Sequence, residues 1–122
     1  MLMLDSKFLL KFKTRIIKEF IDIIILGRLR IAPSSGYDII RYIYQKNKVL
    51  ISSGTIYTTL YSLEREGLIE GRSKGRKRIY RITSKGLDYI EALFHNSEKV
   101  LSFLWEVLRE TSPHDTQPKL TV

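Results

Sequence analysis

Residues 53–69 of the 122-residue chain have the sequence SGTIYTTLYSLEREGLI, and this stretch decides the fold. Three of its apolar side chains recur at four- and three-residue steps, namely Ile56, Leu60 and Leu63. This spacing predicts a helix with one buried face over residues 54–66. The serines and glycine at residues 52–54 form a cluster that can cap the helix, and Gly67 can end it.

A β-hairpin is predicted directly after this helix. From Leu68 onward the hydrophobic period changes to two, which predicts strands over residues 68–72 and 78–83. The intervening residues 73–77 (SKGRK) form a short, basic turn with a glycine, as two antiparallel strands require.

Further helices are predicted on both sides of this unit. Upstream, apolar spacing predicts helices over residues 14–29 and 36–46, joined by a turn in which Ser35 caps the second helix. Downstream, Thr83 or Ser84 caps a last helix that ends near residue 110. The predicted fold is mainly α with a small β-hairpin, a winged helix-turn-helix with a long C-terminal dimerisation helix.

The predicted domain organisation has four parts. Residues 1–13 are an N-terminal arm or an extension of the first helix, and residues 14–83 form the winged helix-turn-helix. Residues 84–110 form the dimerisation helix. Residues 111–122 contain two prolines and no apolar periodicity, which predicts a flexible tail.

Composition and charge narrow the range of functions. The chain has 21 Lys and Arg against 13 Asp and Glu, and its net charge of +8 favours an anionic partner. There is no cysteine, which excludes disulfides, thiolate metal sites and cysteine nucleophiles and fits a cytoplasmic location. The apolar stretch at residues 21–26 is far too short to cross a membrane, and the N-terminus lacks the features of a signal peptide. No membrane partner is therefore expected.

The positive charge is concentrated in the predicted hairpin. Seven cations and no acid lie between Arg72 and Lys85, counting both ends. Lysine and arginine also protect strand edges from aggregation, but one or two would suffice for that. Seven cations without counter-charges favour contact with phosphates or with a narrow minor groove. The candidate DNA-binding cations are Lys74, Arg76, Lys77 and Arg78.

The third helix has an outer face suited to DNA contact. Opposite its buried residues it carries small hydrogen-bonding groups, one phenol and one cation, and acids occur only at its far end. Such a face fits a major groove about 12 Å wide and offers donors to base edges, although an ordinary solvated face has the same composition. The candidates on this face are Thr58, Tyr61, Ser62 and Arg65.

The last helix carries a heptad-like apolar stripe. Its members, spaced alternately three and four residues apart, are Leu87, Ile90, Phe94, Ser97, Leu101, Leu104 and Leu108. One small core cannot cover so much apolar surface, so helix–helix dimerisation is predicted. The alternative is that the stripe folds back on the first helix of its own chain, and both arrangements hold if that helix also enters the interface. The candidate interface residues are Ile17, Phe20, Ile24, Leu87, Ile90, Phe94, Leu101, Leu104 and Leu108.

The sequence offers little support for catalysis. The two histidines, His95 and His114, have no partner at metal-ligand spacing, and no phosphate-binding or nucleophile motif is present. Glu64 and Glu66 lie two positions apart on a helix, which makes them a poor acid–base pair. No enzyme activity, cofactor or metal is predicted.

Three segments resemble the PadR-type transcriptional regulators. Residues 53–69 resemble the recognition-helix signature of that family. Residues 29–40, with SGYDII at 35–40, resemble the start of its second helix, and residues 75–86 (GRKRIYRITSKG) resemble its wing. The resemblance covers about residues 14–108. It implies DNA-binding repressors that dimerise through the first and last helices.

By this resemblance Tyr57, Thr58 and Tyr61 belong to the DNA-facing helix, and Arg76, Lys77 and Arg78 belong to the wing. Ser53 and Thr55 of the same signature complete the candidate DNA-binding set. The chain departs from the family in two places, because members often carry proline where Thr58 stands and an aromatic residue where Ile79 stands.

Some members of the family bind planar drugs between paired tryptophans in the middle of the last helix. That position falls near Ser97 in this chain, whereas the single tryptophan, Trp105, lies about two turns later. A small-molecule effector is left open, and the sequence supports none.

Three functions are consistent with the sequence. The favoured one is a sequence-specific regulator, a repressor, that binds double-stranded DNA as a homodimer. Because such a dimer has two-fold symmetry, its operator is expected to be an inverted repeat. The alternatives are a non-specific architectural binder of nucleic acid and a winged-helix module that contacts only protein.

Overall fold

The computed structural model describes residues 2–112 of the chain. In chain order its elements are α1 (Leu2–Glu19), α2 (Ile21–Ile31), β1 (Ser34–Ser35), α3 (Gly36–Asn47), α4 (Ser53–Arg65), β2 (Ile69–Lys74), β3 (Lys77–Ile82), α5 (Ser84–His95) and α6 (Ser97–Arg109). The predicted winged helix-turn-helix, mainly α with a β-hairpin, is confirmed. The chain divides into two units, residues 1–90 and residues 91–122, and the winged helix-turn-helix lies in the first.

The core of the first unit is mostly aliphatic, and α2, α3, α4 and the start of β2 supply its most deeply buried side chains. Its largest fully buried members are Ile25, Leu26, Ile39, Ile43, Ile56, Leu60 and Ile69. Burying a side chain of this size contributes roughly 1.5–3 kcal/mol. The buried residues of α4 are Ile56, Leu60 and Leu63, as the spacing predicted. Packing in the core therefore determines which face of α4 meets solvent.

Serine caps fix the starts of α3 and α4. The Ser35 hydroxyl accepts from the Asp38 backbone N–H at 3.1 Å, and the Asp38 carboxylate accepts from the Ser35 N–H at 3.0 Å. The hydrogen bond from the Ser35 backbone N–H is the main cause that holds the pKa of the Asp38 carboxyl below its ordinary value. The predicted Ser35 cap is thus confirmed as a capping box. At α4 the capping residue is Ser52, whose hydroxyl accepts from the Thr55 N–H at 3.2 Å.

Two helices predicted as continuous are each divided at a single residue. The helix predicted over 14–29 is interrupted at Phe20, and α1 extends upstream to Leu2, so residues 2–13 belong to the same helix as residues 14–19. The helix predicted to run to residue 110 is interrupted at Asn96, whose side-chain amide donates to the Ala92 carbonyl at 2.8 Å. The prediction of one long C-terminal helix is therefore wrong at this point.

The sheet has three antiparallel strands in the order β1–β3–β2. The prediction included the hairpin β2–β3 but not β1, in which Ser34 pairs with Tyr80 and Ser35 with Ile79. The hairpin turn is tighter than predicted. Lys74 already pairs with Lys77 in the ladder, so only residues 75 and 76 connect the strands. Gly75 has a φ of +65°, a backbone conformation that glycine adopts without strain.

The second unit contains α6, which has no buried residue. The predicted flexible tail, residues 111–122, lies outside the described residues from 113 onward. Among the described helices, none combines the length and hydrophobicity that crossing a membrane requires.

Candidate nucleic-acid interface

Helix α4 presents most of the predicted DNA-contacting residues to solvent. Its core face is buried, and the rest of its surface carries the exposed residues Ser53, Thr55, Tyr57, Thr58, Tyr61 and Arg65 and the half-buried Ser62. The hydroxyl of Thr55 is occupied, because it accepts from the Ser52 hydroxyl at 3.0 Å. Within residues 2–112, the side chains of Thr58 and Ser62 form no hydrogen bond with the protein. These two hydroxyls are therefore available for base contact.

The two tyrosines on this face differ in their surroundings. The Tyr57 ring lies against Gly36 at the start of α3, where an added Cβ would be only 2.5 Å from its Cζ atom. Tyr57 thus joins α3 to α4, and it is still 46% exposed. The Tyr61 ring is more exposed and has the Arg65 guanidinium 5.6 Å from its centroid. Tyr61 and Arg65 form a joint aromatic and cationic surface on the helix.

The wing, which we define as strands β2 and β3 with their turn, carries the tip cations Lys74, Arg76 and Lys77. All three are exposed, and in the described part of the chain none of them forms an ion pair. Lys74 and Lys77 face each other across the ladder, and like charges directly opposite each other destabilise a sheet. A bound polyanion would relieve that repulsion, which is the arrangement expected at a phosphate-binding tip.

Three of the seven cations counted as unpaired in the sequence do have partners in the fold. Arg72 pairs with Glu70 at 3.6 Å, and Arg78 pairs with Glu64 at 2.7 Å. The Lys85 ammonium donates to the Glu66 carbonyl at 2.7 Å. The prediction of seven cations without counter-charges is therefore wrong for Arg72 and Arg78, whose acids lie outside the basic segment in sequence and next to it in the fold. The partner of Lys85 is an uncharged carbonyl.

Glu64 is the residue whose role the sequence analysis missed. Its Oε2 atom accepts from the Gly71 backbone N–H at 3.1 Å and from the Arg78 guanidinium at 2.7 Å, which connects α4 to both strands of the wing. The hydrogen bond with Glu64 raises the pKa of Arg78, and burial raises the pKa of the neighbouring Tyr80 phenol. Only the spacing of seven residues between Glu64 and Gly71 could have indicated this contact, and that spacing is not specific.

The predicted dimer-interface residues fall into two groups. Ile17 is buried in the core of the first unit, Ile24 and Ile90 pack against that core, and Leu87 is half-buried. The exposed members are Phe20, Phe94, Leu101, Leu104 and Leu108. The first group is wholly or partly buried within the chain, so the second group offers the larger exposed apolar surface.

Nothing in the described structure resembles a metal site. No cluster of three or more His, Cys, Asp or Glu side chains in residues 2–112 is placed to hold a metal ion. The geometry of α4 and the wing is instead that of a surface for a long anionic partner.

A sequence model of the transcriptional regulator PadR-like family matches residues 25–92, which include α3, α4 and the whole wing. The chain belongs to this family. PadR-like proteins are transcriptional regulators that bind DNA and commonly form dimers, so this protein is a DNA-binding transcriptional regulator and its family is not one of enzymes. No curated protein matches the chain in sequence.

Solved structures of bacterial regulators have the same fold. A transcriptional regulator from Clostridium thermocellum is 27% identical, with a TM-score of 0.66 over 80% of this chain and 94% of its own. A PadR-like transcriptional regulator from Bacillus cereus is also 27% identical, with a TM-score of 0.65 over 78% of this chain and 97% of its own. A PadR family regulator from Eggerthella lenta shares the fold at 21% identity, with a TM-score of 0.66 over 90% and 99% of the two chains.

Proposed function

We propose that this PadR-like protein is a sequence-specific repressor that binds an inverted-repeat operator as a homodimer in the cytoplasm. The observation that carries the proposal is the pairing of two surfaces in one unit. Helix α4 offers unengaged hydroxyls and a tyrosine, and the wing tip offers three cations without ion pairs. Base edges are recognised by groups of the first kind and phosphates by groups of the second.

In this proposal the two surfaces have different tasks. Thr58, Tyr61 and Ser62 contact base edges in the major groove, with Ser53, Thr55, Tyr57 and Arg65 around them. Lys74, Arg76 and Lys77 contact phosphates beside the groove. The hydroxyls supply sequence choice, whereas the cations supply affinity that falls as salt rises.

The homodimer is proposed from the apolar surface that the chain leaves exposed. Phe94 is 81% exposed, and Leu101 and Leu104 are also largely exposed, although soluble monomers rarely leave so many large apolar side chains in solvent. Helix α1 has a second exposed set, which includes Phe8 and Leu9, and Phe20 directly after the helix is exposed as well. A second copy of the chain can cover these sets with self-complementary contacts.

The two-fold symmetry of such a dimer determines the form of the operator. If both α4 helices enter successive major grooves on one side of B-DNA, the half-site centres lie about 34 Å apart, near 10 base pairs. A dimer seated across a promoter would block transcription, which makes repression the expected sign of regulation.

The first experiment is to identify the operator and test its symmetry. The purified protein is used to select genomic fragments, and the recovered site is then footprinted with insertions between its half-sites. Five added base pairs should abolish binding, because they move one half-site to the far side of the helix, and ten should partly restore it. If the recovered fragments share no sequence, the protein is a non-specific binder. Indifference to the five-base-pair insertion would show that each domain binds alone.

Substitutions separate the two tasks. Replacing Arg76 and Lys77 with alanine should weaken binding to operator and unrelated DNA alike and reduce the slope of log affinity against log salt by about one unit per lost contact. Thr58→Ala should instead lower the ratio of operator to non-operator affinity. Thr59→Ala is the matched control, because the Thr59 hydroxyl donates to the Thr55 carbonyl at 2.8 Å. An unchanged salt slope in the double variant would remove the wing tip from the interface.

A further inference from the structure

Glu64 joins the recognition helix to the wing through a compact set of contacts. Its Oε2 atom receives two N–H groups, one from each wing strand: the Gly71 backbone at 3.1 Å and the Arg78 guanidinium at 2.7 Å. Glu64 is the second-last residue of α4, so its contacts with the hairpin are made from the last turn of the helix. These contacts tie the direction of the hairpin to that of α4.

The wing is built to hold Arg78 in this position. Its guanidinium carbon lies 5.7 Å from the centroid of the Tyr80 ring, and Tyr80 is only 6% exposed. Gly71 pairs with Tyr80 in the ladder and leaves the space that Arg78 occupies. A Cβ on Gly71 would lie 2.6 Å from Arg78 Nε and 2.9 Å from Tyr80 Cε1. A buried ring on one side and a missing side chain on the other thus accommodate the guanidinium.

Arg78 differs in this respect from the cations of the wing tip. Lys74, Arg76 and Lys77 have no ion pair in the described residues, whereas the charge of Arg78 is compensated at 2.7 Å by a half-buried carboxylate. A guanidinium held by a carboxylate contributes little to counterion release from DNA, because its charge is already balanced.

We propose that Arg78 is a positioning residue that does not contact phosphate, and that the Glu64–Arg78 bridge sets operator specificity by fixing the wing relative to α4. This inference rests on the proposed function and assigns one of its predicted DNA cations to a different role. Recognition requires that α4 contacts base edges at the same position on the DNA at which the wing tip contacts phosphates. When the bridge is absent, the wing tip still contacts phosphates, but it no longer holds α4 at the position where α4 contacts the bases.

The test measures affinity for operator and for scrambled DNA at several salt concentrations. Arg78→Ala should leave the salt slope unchanged and lower the ratio of operator to scrambled affinity about tenfold, the equivalent of one lost base contact. Glu64→Gln should also lower the ratio, because a neutral amide oxygen holds the guanidinium less firmly than a carboxylate. It should raise scrambled-DNA affinity and increase the slope by up to about one unit, because the charge of Arg78 is no longer balanced. Arg76→Ala is the comparison, with a reduced slope and a nearly unchanged ratio.

Two controls separate positioning from other effects. Glu70→Gln removes an acid from the same hairpin, and the ion pair of Glu70 with Arg72 is long, at 3.6 Å. This variant therefore measures the effect of a changed net charge alone, and it should leave the ratio of operator to scrambled affinity unchanged. The amide resonance of Gly71 in the free protein reports the bridge without DNA, and it should shift in Glu64→Gln while the fold, followed by circular dichroism, is retained.

A reduced salt slope in Arg78→Ala, equal to that of Arg76→Ala, would overturn the inference, because it would show a phosphate contact. An unchanged affinity ratio in Glu64→Gln would overturn it as well. Failure of the unaltered protein to prefer any operator would instead refute the proposed function, and the positioning role with it.

Discussion

Alanine at Leu101 and Leu104 should dissociate the proposed homodimer without unfolding the protomer. Both residues lie on α6, where Leu101 is 62% exposed and Leu104 is 48% exposed. Because neither is buried within the chain, their truncation removes little of the packing that stabilises the protomer. The loss should therefore appear in association and not in the fold.

The size of the effect follows from the exposed fractions. Burying a whole leucine side chain contributes roughly 1.5–3 kcal/mol, so transferring about half of one into an interface contributes roughly 1 kcal/mol or slightly more. A symmetric dimer contains four such leucines, which together contribute about 4–5 kcal/mol. Alanine retains a small part of this, so about 3–4 kcal/mol is lost. At 1.4 kcal/mol per factor of ten, the dissociation constant of the dimer should rise by at least about a hundredfold.

Sedimentation equilibrium over a range of protein concentrations measures this constant directly. Circular dichroism of the same samples tests whether helix content is retained once dissociation is taken into account. The matched control replaces Glu98 and Lys99 with alanine, which makes two truncations on the same exposed helix without a change in net charge. This control should associate like the unaltered chain. A monomeric unaltered chain at 100 μM, or an unchanged constant in the leucine variant, would refute the reasoning.

Two further predictions concern the stability of the winged-helix unit, measured as free energies of unfolding in denaturant. Asp38→Asn should lower the free energy of unfolding at neutral pH. The difference from the parent should vanish as the pH falls below 3.8, because folding lowers the pKa of Asp38 and the carboxylate stops contributing to stability once it is protonated. A difference that persists at low pH would exclude a charge effect. Gly86→Ala should destabilise by about 1–3 kcal/mol, since a Cβ there would collide with the Leu68 carbonyl oxygen. At Gly27 an added Cβ would have no atom within 4 Å, so Gly27→Ala should instead stabilise the protein by up to about 1 kcal/mol. Equal changes in stability for the two glycine variants would contradict the clash at Gly86.

Local patterns in the sequence were sufficient to predict α4, the helix proposed to face DNA. The period of Ile56, Leu60 and Leu63 predicted α4 and its buried face, and serine caps and Gly67 marked its ends to within one or two residues. The same holds for the cap at Ser35. These features depend on residues close together in the chain, so their physical causes are visible in the sequence.

Contacts between distant segments were not predictable in this way. Strand β1 has only two residues, too few for any periodicity, and it forms because Ser34 and Ser35 meet the edge of β3. The partner of Arg78 is fourteen residues away along the chain. A count of charges within the basic segment could not include Glu64, because only the fold brings helix and hairpin together.

The apolar stripe of the last helix shows why periodicity alone cannot assign an interface. Hydrogen bonds of the helical type continue through Asn96, whose backbone N–H donates to the Ala92 carbonyl at 3.1 Å and whose carbonyl accepts from the Val100 N–H at 3.1 Å. Before Asn96, Ile90 packs on the core of its own chain, whereas beyond it Leu101 is left exposed. One uninterrupted sequence pattern therefore includes side chains packed within the chain and side chains left exposed. Spacing specifies which side of a helix is apolar, and only the fold determines whether that side is already covered or is left for a second copy.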